Sequence, residues 1–179
     1  MNEFGYTAWG KDFLRLAEPL ASNRPESMLP RARSIARNGG VTVTFDGCEA
    51  RATVHRGSEA SVVSVEFGAM TRELSSALAE LTTAPDNLGD GDHRTLLDAG
   101  QSPAPTLAGS DCSCRARSAR CLHLLAVLYT VTRHVDETPV LALTLQGYGR
   151  ESADATDHGG PAPRWLPINE IDPQAFYGD

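Results

Sequence analysis

The sequence predicts an α+β fold: N-terminal helices, a three-stranded antiparallel meander, a helical middle segment, and a metal-bound hairpin leading into an apolar helix. Three observations carry that prediction. Residues 9–21 and 122–134 repeat apolar groups at helical spacing, residues 41–67 alternate apolar and polar residues, and four soft metal-ligand types gather between Cys112 and His123.

In the first helix, Trp9, Phe13, Leu16, Ala17 and Leu20 share one face, and Asn23 and Pro25 mark its end. A second helix is expected from Pro30, suited to a first helical position, to Asn38, with Gly39 and Gly40 as its stop. It displays Arg31, Arg33 and Arg37. Val41, Val43 and Phe45 then face one way and Thr42 and Thr44 the other. Asp46-Gly47 reads as the two-residue turn to a return strand that alternates Cys48, Ala50, Ala52 and Val54. After Gly57 a third strand runs from Ser61 to Phe67.

Thr71 caps the next helix, whose Leu74, Ala77, Leu78 and Leu81 recur at three and four residues. A shorter helix is expected over Asp92 to Ala99, and residues 100–110, with Gly100, Pro103, Pro105 and Gly109, read as a loop. Leu122, Leu125, Ala126, Leu128, Tyr129 and Thr132 mark a strongly apolar helix ending near His134. Thr138 and Pro139 restart the chain as a short helix to about Leu145. One domain is thus expected over residues 1–146, with the metal-ligand segment and its helix at about 110–134. Residues 147–179 are expected to be an acidic linker and tail, in which Trp165, Phe176 and Tyr177 suggest docking.

The formal charge of −7 argues against a surface that clings to phosphate as a whole. The excess acid lies in residues 61–100 and 151–179, while Arg115, Arg117 and Arg120 make the cysteine-rich stretch locally basic. No stretch approaches the roughly 20 apolar residues of a membrane span, and the N-terminus lacks a signal-peptide pattern, so a cytoplasmic protein is expected. In that reducing setting the cysteines read as metal ligands or buried thiols, not disulfides.

The stretch CSCRARSARCLH offers three thiols and an imidazole within twelve residues, the donor set of tetrahedral Zn²⁺. Cys112 and Cys114, two apart in an extended segment, point the same way. Cys121 and His123 complete the set where the apolar helix begins. Four protein donors close the site, so a structural ion and a binding module are expected in place of a catalyst. Cys48 reads as a small half-buried strand residue, His55 as a surface strand residue, and His134 sits where a cation favours a helix C-terminus. GDGD at residues 89–92 reads as a turn that caps the next helix, although Asp90, Asp92 and His93 keep an enzymatic alternative open. The signatures GxxxxGK[ST], GxSxG and HExxH are absent.

The pattern CxCx6CxH followed at once by an apolar helix resembles the SWIM zinc finger, and the likeness extends along most of the chain to stand-alone SWIM proteins of actinobacterial type. It includes Trp9-Gly10, a helix ahead of a short meander, the run Leu124 to Tyr129, and the element Asp172 to Tyr177. The resemblance implies zinc ligands at Cys112, Cys114, Cys121 and His123. It also implies binding to protein or DNA, as an accessory or adaptor subunit of a remodelling or repair machine, with a SWI2/SNF2-type helicase as partner. Many relatives carry Lys before the histidine, where this chain has Leu122, which weakens any phosphate contact there. The alternative within the same module is direct DNA binding through Arg115, Arg117 and Arg120, joined by Arg31, Arg33 and Arg37.

Overall fold

The computed structural model describes residues 3–20, 26–81, 87–114 and 120–149. The described residues up to Tyr148 pack as one compact unit. Helix α1 (Ala8–Ala17) opens on Thr7, whose hydroxyl accepts the Gly10 N–H at 2.9 Å. It buries Trp9, Phe13 and Ala17 on one face. The helix is shorter than the apolar spacing predicts, and Leu20 lies outside it, 84% exposed. The cause is Pro19, which has no N–H to give and disfavours helical geometry at Glu18, where the chain leaves the helix. Helix α2 (Leu29–Arg37) has Pro30 in its first turn, ends at Asn38, and buries only Ala32 and Ala36.

Strands β1 (Val41–Asp46), β2 (Glu49–Arg56) and β3 (Glu59–Phe67) form the expected meander. Val41, Val43 and Phe45 pair with Val54, Ala52 and Ala50, so both strands turn these residues to the same face. The first turn differs by one residue from the sequence expectation. Asp46 pairs with Glu49, which leaves Gly47 and Cys48 as the loop. Gly47 takes φ +54°, the conformation a two-residue hairpin assigns to glycine at its first central position.

Helices α3 (Arg72–Leu81) and α4 (Asp90–Asp98) follow, and the Thr71 hydroxyl accepts the Leu74 N–H at 3.2 Å as the cap of α3. The predicted loop at 100–110 then gives way to a fourth strand, β4 (Leu107–Cys112), which pairs antiparallel with β3 in a sheet of order β1-β2-β3-β4. Its residues alternate only weakly in burial and include Gly109, so pairing with β3, not apolar pattern, makes it a strand.

Helix α5 (Leu122–Glu137) packs on α1 and α2 and also on every strand of the sheet, and Leu124 through Thr132 are all buried. A helix apolar on all sides is what a position between two layers demands. It runs three residues beyond the His134 expected as its end, and α6 (Val140–Leu145) follows with Pro139 as N-cap. No described helix is long and apolar enough to cross a membrane.

One buried carboxylate locks the N-terminal segment to α5. Asp136, 4% exposed, accepts from Gly5 N–H at 2.6 Å, Thr7 N–H at 2.9 Å and the Thr7 hydroxyl at 2.8 Å. Gly10 is required beside it, because a Cβ there would stand 2.0 Å from Asp136 Oδ1.

Candidate metal centre

Two layers of the fold each supply two donors. The sheet supplies the first pair: Cys112 ends β4 opposite Val63, and Ser113 continues the pairing by donating its N–H to Val62 O at 2.9 Å and accepting the Val62 N–H on its hydroxyl at 3.0 Å. That pairing keeps the chain extended for one more residue, so Cys114 returns to the side of Cys112. The second pair comes from α5. Cys121 is its N-cap, with Sγ accepting the Leu124 N–H at 3.4 Å, and His123 is its second residue.

The donor atoms of Cys112, Cys114, Cys121 and His123 all lie within 4.8 Å of one another, and Cys112 Sγ is 3.8 Å from His123 Nδ1. A tetrahedron with bonds of about 2.3 Å to sulfur and about 2.0 Å to nitrogen has edges of roughly 3.5–3.8 Å. The cluster therefore has the size of one metal shell. Cys121 is buried and the other three are half-buried.

The electrostatics agree with that size. Burial, reinforced by the adjoining thiols of Cys114 and Cys121 and opposed by a Cys114 backbone hydrogen bond, pushes the Cys112 thiol up to about 12. Three thiols kept together in this way are poised to lose protons to a dication, which makes thiolates its natural ligands. His123 is held below its ordinary value, first by burial and then by the charge of Arg56. It is therefore neutral at physiological pH, the form that offers a lone pair to a metal.

Residues 93–131 match the family model of the SWIM zinc finger. The SWIM match runs from His93 in α4, through β4, to Val131 in α5, and so spans both halves of the donor cluster. No curated protein and no solved structure matches the chain. The SWIM match and the Cys/His cluster together support one structural zinc ion.

Around the SWIM segment the structure treats the remaining candidates differently. Arg120 turns inward: Nη1 donates to Leu16 O at 3.0 Å, Nη2 to Ala17 O at 2.7 Å, and Nε to Glu26 at 3.3 Å, so its guanidinium caps the C-terminus of α1. Arg115 and Arg117 lie outside the described residues, as do His158 and the tail residues Trp165, Phe176 and Tyr177. Arg33 donates to Glu18 and to Tyr129 Oη, Arg37 pairs with Glu3, and Arg31 is exposed.

Asp90, Asp92 and His93 do not converge on a common point of reaction. Asp90 accepts the Ala8 N–H at 2.8 Å, and Asp92 reaches back to the Gly89 N–H at 2.8 Å as part of the cap of α4. His93 Nε2 lies 2.8 Å from Asp12 Oδ2 and its ring stands edge-on to Trp9 at 5.1 Å. Trp9 in turn donates its indole N–H to Gly89 O at 2.9 Å, so the group fastens α4 to α1. Cys48 sits in the first hairpin turn, His55 is exposed on β2, and the half-buried His134 ring stands edge-on to Phe45 at 5.5 Å.

Two features escaped sequence reasoning. The capping role of the Cys121 sulfur was signalled only by its place just before an apolar helical run. The lock at Asp136 was signalled by a glycine inside the first helix, where it costs helix propensity unless something presses against it.

Proposed function

We propose that Cys112, Cys114, Cys121 and His123 hold the zinc ion, and that this ion braces a binding module that is not an enzyme. The observation that carries this reading is the closed donor set: four protein ligands, two from the sheet and two from the central helix, leave no position for water or substrate. When bound, zinc would supply a fixed crosslink between these layers. The chain's own residues position the sulfurs through β-pairing at Cys112 and the helix cap at Cys121.

The module then acts as a cytoplasmic accessory or adaptor subunit of a DNA-remodelling or repair machine, with a SWI2/SNF2-type helicase as the partner class. Residues 1–146 form its domain, and the tail at 147–179 docks on the partner through Trp165, Phe176 and Tyr177. The inward setting of Arg120 supports the adaptor reading over direct DNA binding. It leaves Arg115 and Arg117 as the loop arginines for phosphate, and two contacts give a salt slope of only about −2.

The test combines metal analysis with DNA titration on protein purified in reductant without added zinc. One zinc per chain, absent from Cys114→Ala and from His123→Ala, is expected, together with weak duplex binding at physiological salt. A folded wild type with no zinc would overturn the metal assignment. Submicromolar duplex binding that disappears in Arg115→Ala/Arg117→Ala would overturn the adaptor reading.

A further inference from the structure

Helices α1, α2 and α5 and the N-terminal segment line a cleft of about 360 Å³. Half-buried Leu14 gives the cleft its apolar surface, backed by the buried rings of Phe4 and Tyr129 with centroids 5.1 Å apart, and Glu3, Glu18, Arg33 and Arg37 supply its charges. The two ion pairs in it are not alike. Glu18 accepts from Arg33 Nη2 at 2.5 Å, from Arg33 Nε at 3.2 Å and from the Tyr129 hydroxyl, so it ties three helices together. Among the described residues Glu3 accepts from Arg37 alone, through Nε at 2.5 Å and through Nη2 in a two-bond fork, and both side chains are exposed.

The backbone is fixed without Glu3. Phe4 is 5% exposed, and the Gly5 N–H is held by Asp136 at 2.6 Å. The Glu3 carboxylate can therefore swing away while the strap behind it stays in place. Where it rests, hydrogen bonding to Arg37, helped by the charges of Arg37, Arg133 and Arg33, holds its carboxyl below the usual range. A carboxylate thus already occupies a basic site whose apolar wall has room for a neighbouring side chain.

We propose that Arg37, backed by Arg33 and Arg133, is a docking point for a carboxylate of an acidic peptide on a partner protein, and that Glu3 is its built-in competitor. A fork of two N–H donors matches a carboxylate, and apolar walls suit a peptide with an apolar residue beside the acidic one. A long polyanion is disfavoured by the formal charge of −7. The site lies apart from the metal centre and rests on the adaptor reading only for the existence of a protein partner.

An exposed ion pair of this kind populates its closed form by a factor of at most about five. The apparent dissociation constant is the intrinsic one divided by the open fraction, here no less than about one sixth, so freeing Arg37 tightens binding by up to about sixfold. The probe is a fluorescein-labelled hexapeptide of glutamate and leucine, followed by anisotropy at about 50 mM salt, where screening is modest. Glu3→Ala should bind it about three- to fivefold more tightly than wild type, and Glu3→Ala/Arg37→Ala should lose that gain. Glu80→Ala, an exposed change of the same charge on α3, should leave affinity unchanged.

Equal affinity of Glu3→Ala and wild type overturns the proposal, as does a gain that survives removal of Arg37 or is matched by Glu80→Ala. If a short DNA duplex gains more than the peptide from Glu3→Ala, the peptide assignment falls. Zinc content and thermal unfolding measured on the same samples keep the outcomes separate. A zinc-free wild type speaks against the metal assignment, not against this site.

Discussion

Replacing Cys121 by serine and by alanine separates two roles of one sulfur atom. Its Sγ belongs to a donor cluster no wider than 4.8 Å, and it also accepts the Leu124 N–H at 3.4 Å as the cap of the central helix. Serine keeps an oxygen that can cap a helix but is a poor zinc ligand, whereas alanine keeps neither function. Loss of an N-cap costs about 1 kcal/mol. Zinc buffered at about 100 times its dissociation constant adds about 2.7 kcal/mol to whichever protein binds it. Urea unfolding in reductant should therefore give two patterns. In chelator, Cys121→Ser should exceed Cys121→Ala by about 1 kcal/mol, with the metal-free wild type near the serine variant. With buffered zinc, only the wild type should rise, by about 2.7 kcal/mol or more. A metal-free wild type no more stable than Cys121→Ala in chelator would show that the sulfur does not cap. A serine variant that gains as much from zinc as the wild type would remove Cys121 from the ligand set.

Gly10→Ala should destabilise by about 1–4 kcal/mol, because a helix-propensity gain of about 1 kcal/mol is outweighed by loss of one or two charged hydrogen bonds when Asp136 is pushed aside. The cost should shrink in an Asp136→Ala background, and a stabilising Gly10→Ala would refute the close contact. Tyr129 supplies a pH-dependent prediction, since burial first, and then the hydrogen bond to Glu18, raise its phenol above the ordinary value of about 10. The folded state thus holds that proton more tightly than the unfolded one, so the contribution is present below pH of about 10 and is lost as pH rises through the folded value. Ultraviolet titration of the tyrosines should lose its last step in Tyr129→Phe, and a last step that persists would show that another tyrosine is the protected one.

How much of this structure could be read in advance follows from where each signal resides. The stripe of Trp9, Phe13 and Ala17, the alternation from Val41 to Phe67 and the cap at Thr71 are local patterns, and they mark their elements correctly. The Cys/His cluster was legible for the same reason, because its four side chains fall within twelve residues and their chemistry is distinctive. Strand β4 was not. Its Leu-Ala-Gly-Ser-Asp-Cys run has no apolar alternation, and it becomes a strand by pairing with residues forty or more positions earlier. The early end of α1 was written in Pro19, whose weight the longer apolar stripe concealed. Arg120 shows the limit most clearly. Nothing near it in sequence says that its guanidinium reaches the carbonyls of Leu16 and Ala17, more than a hundred residues away.

The position of β4 has a consequence for time as well as for stability. It is the last strand of the sheet, with β3 as its one sheet neighbour among the described residues, whereas α5 is enclosed by helices and strands. Edge strands open at lower free energy than enclosed helices, so fluctuations release the Cys112 and Cys114 side of the proposed ligand set before the Cys121 and His123 side. With the ion held as proposed, its exchange with solution would be timed by the fraying of one strand. Chelators would meet a half-open site still anchored on the helix, and zinc would return to a helix already formed.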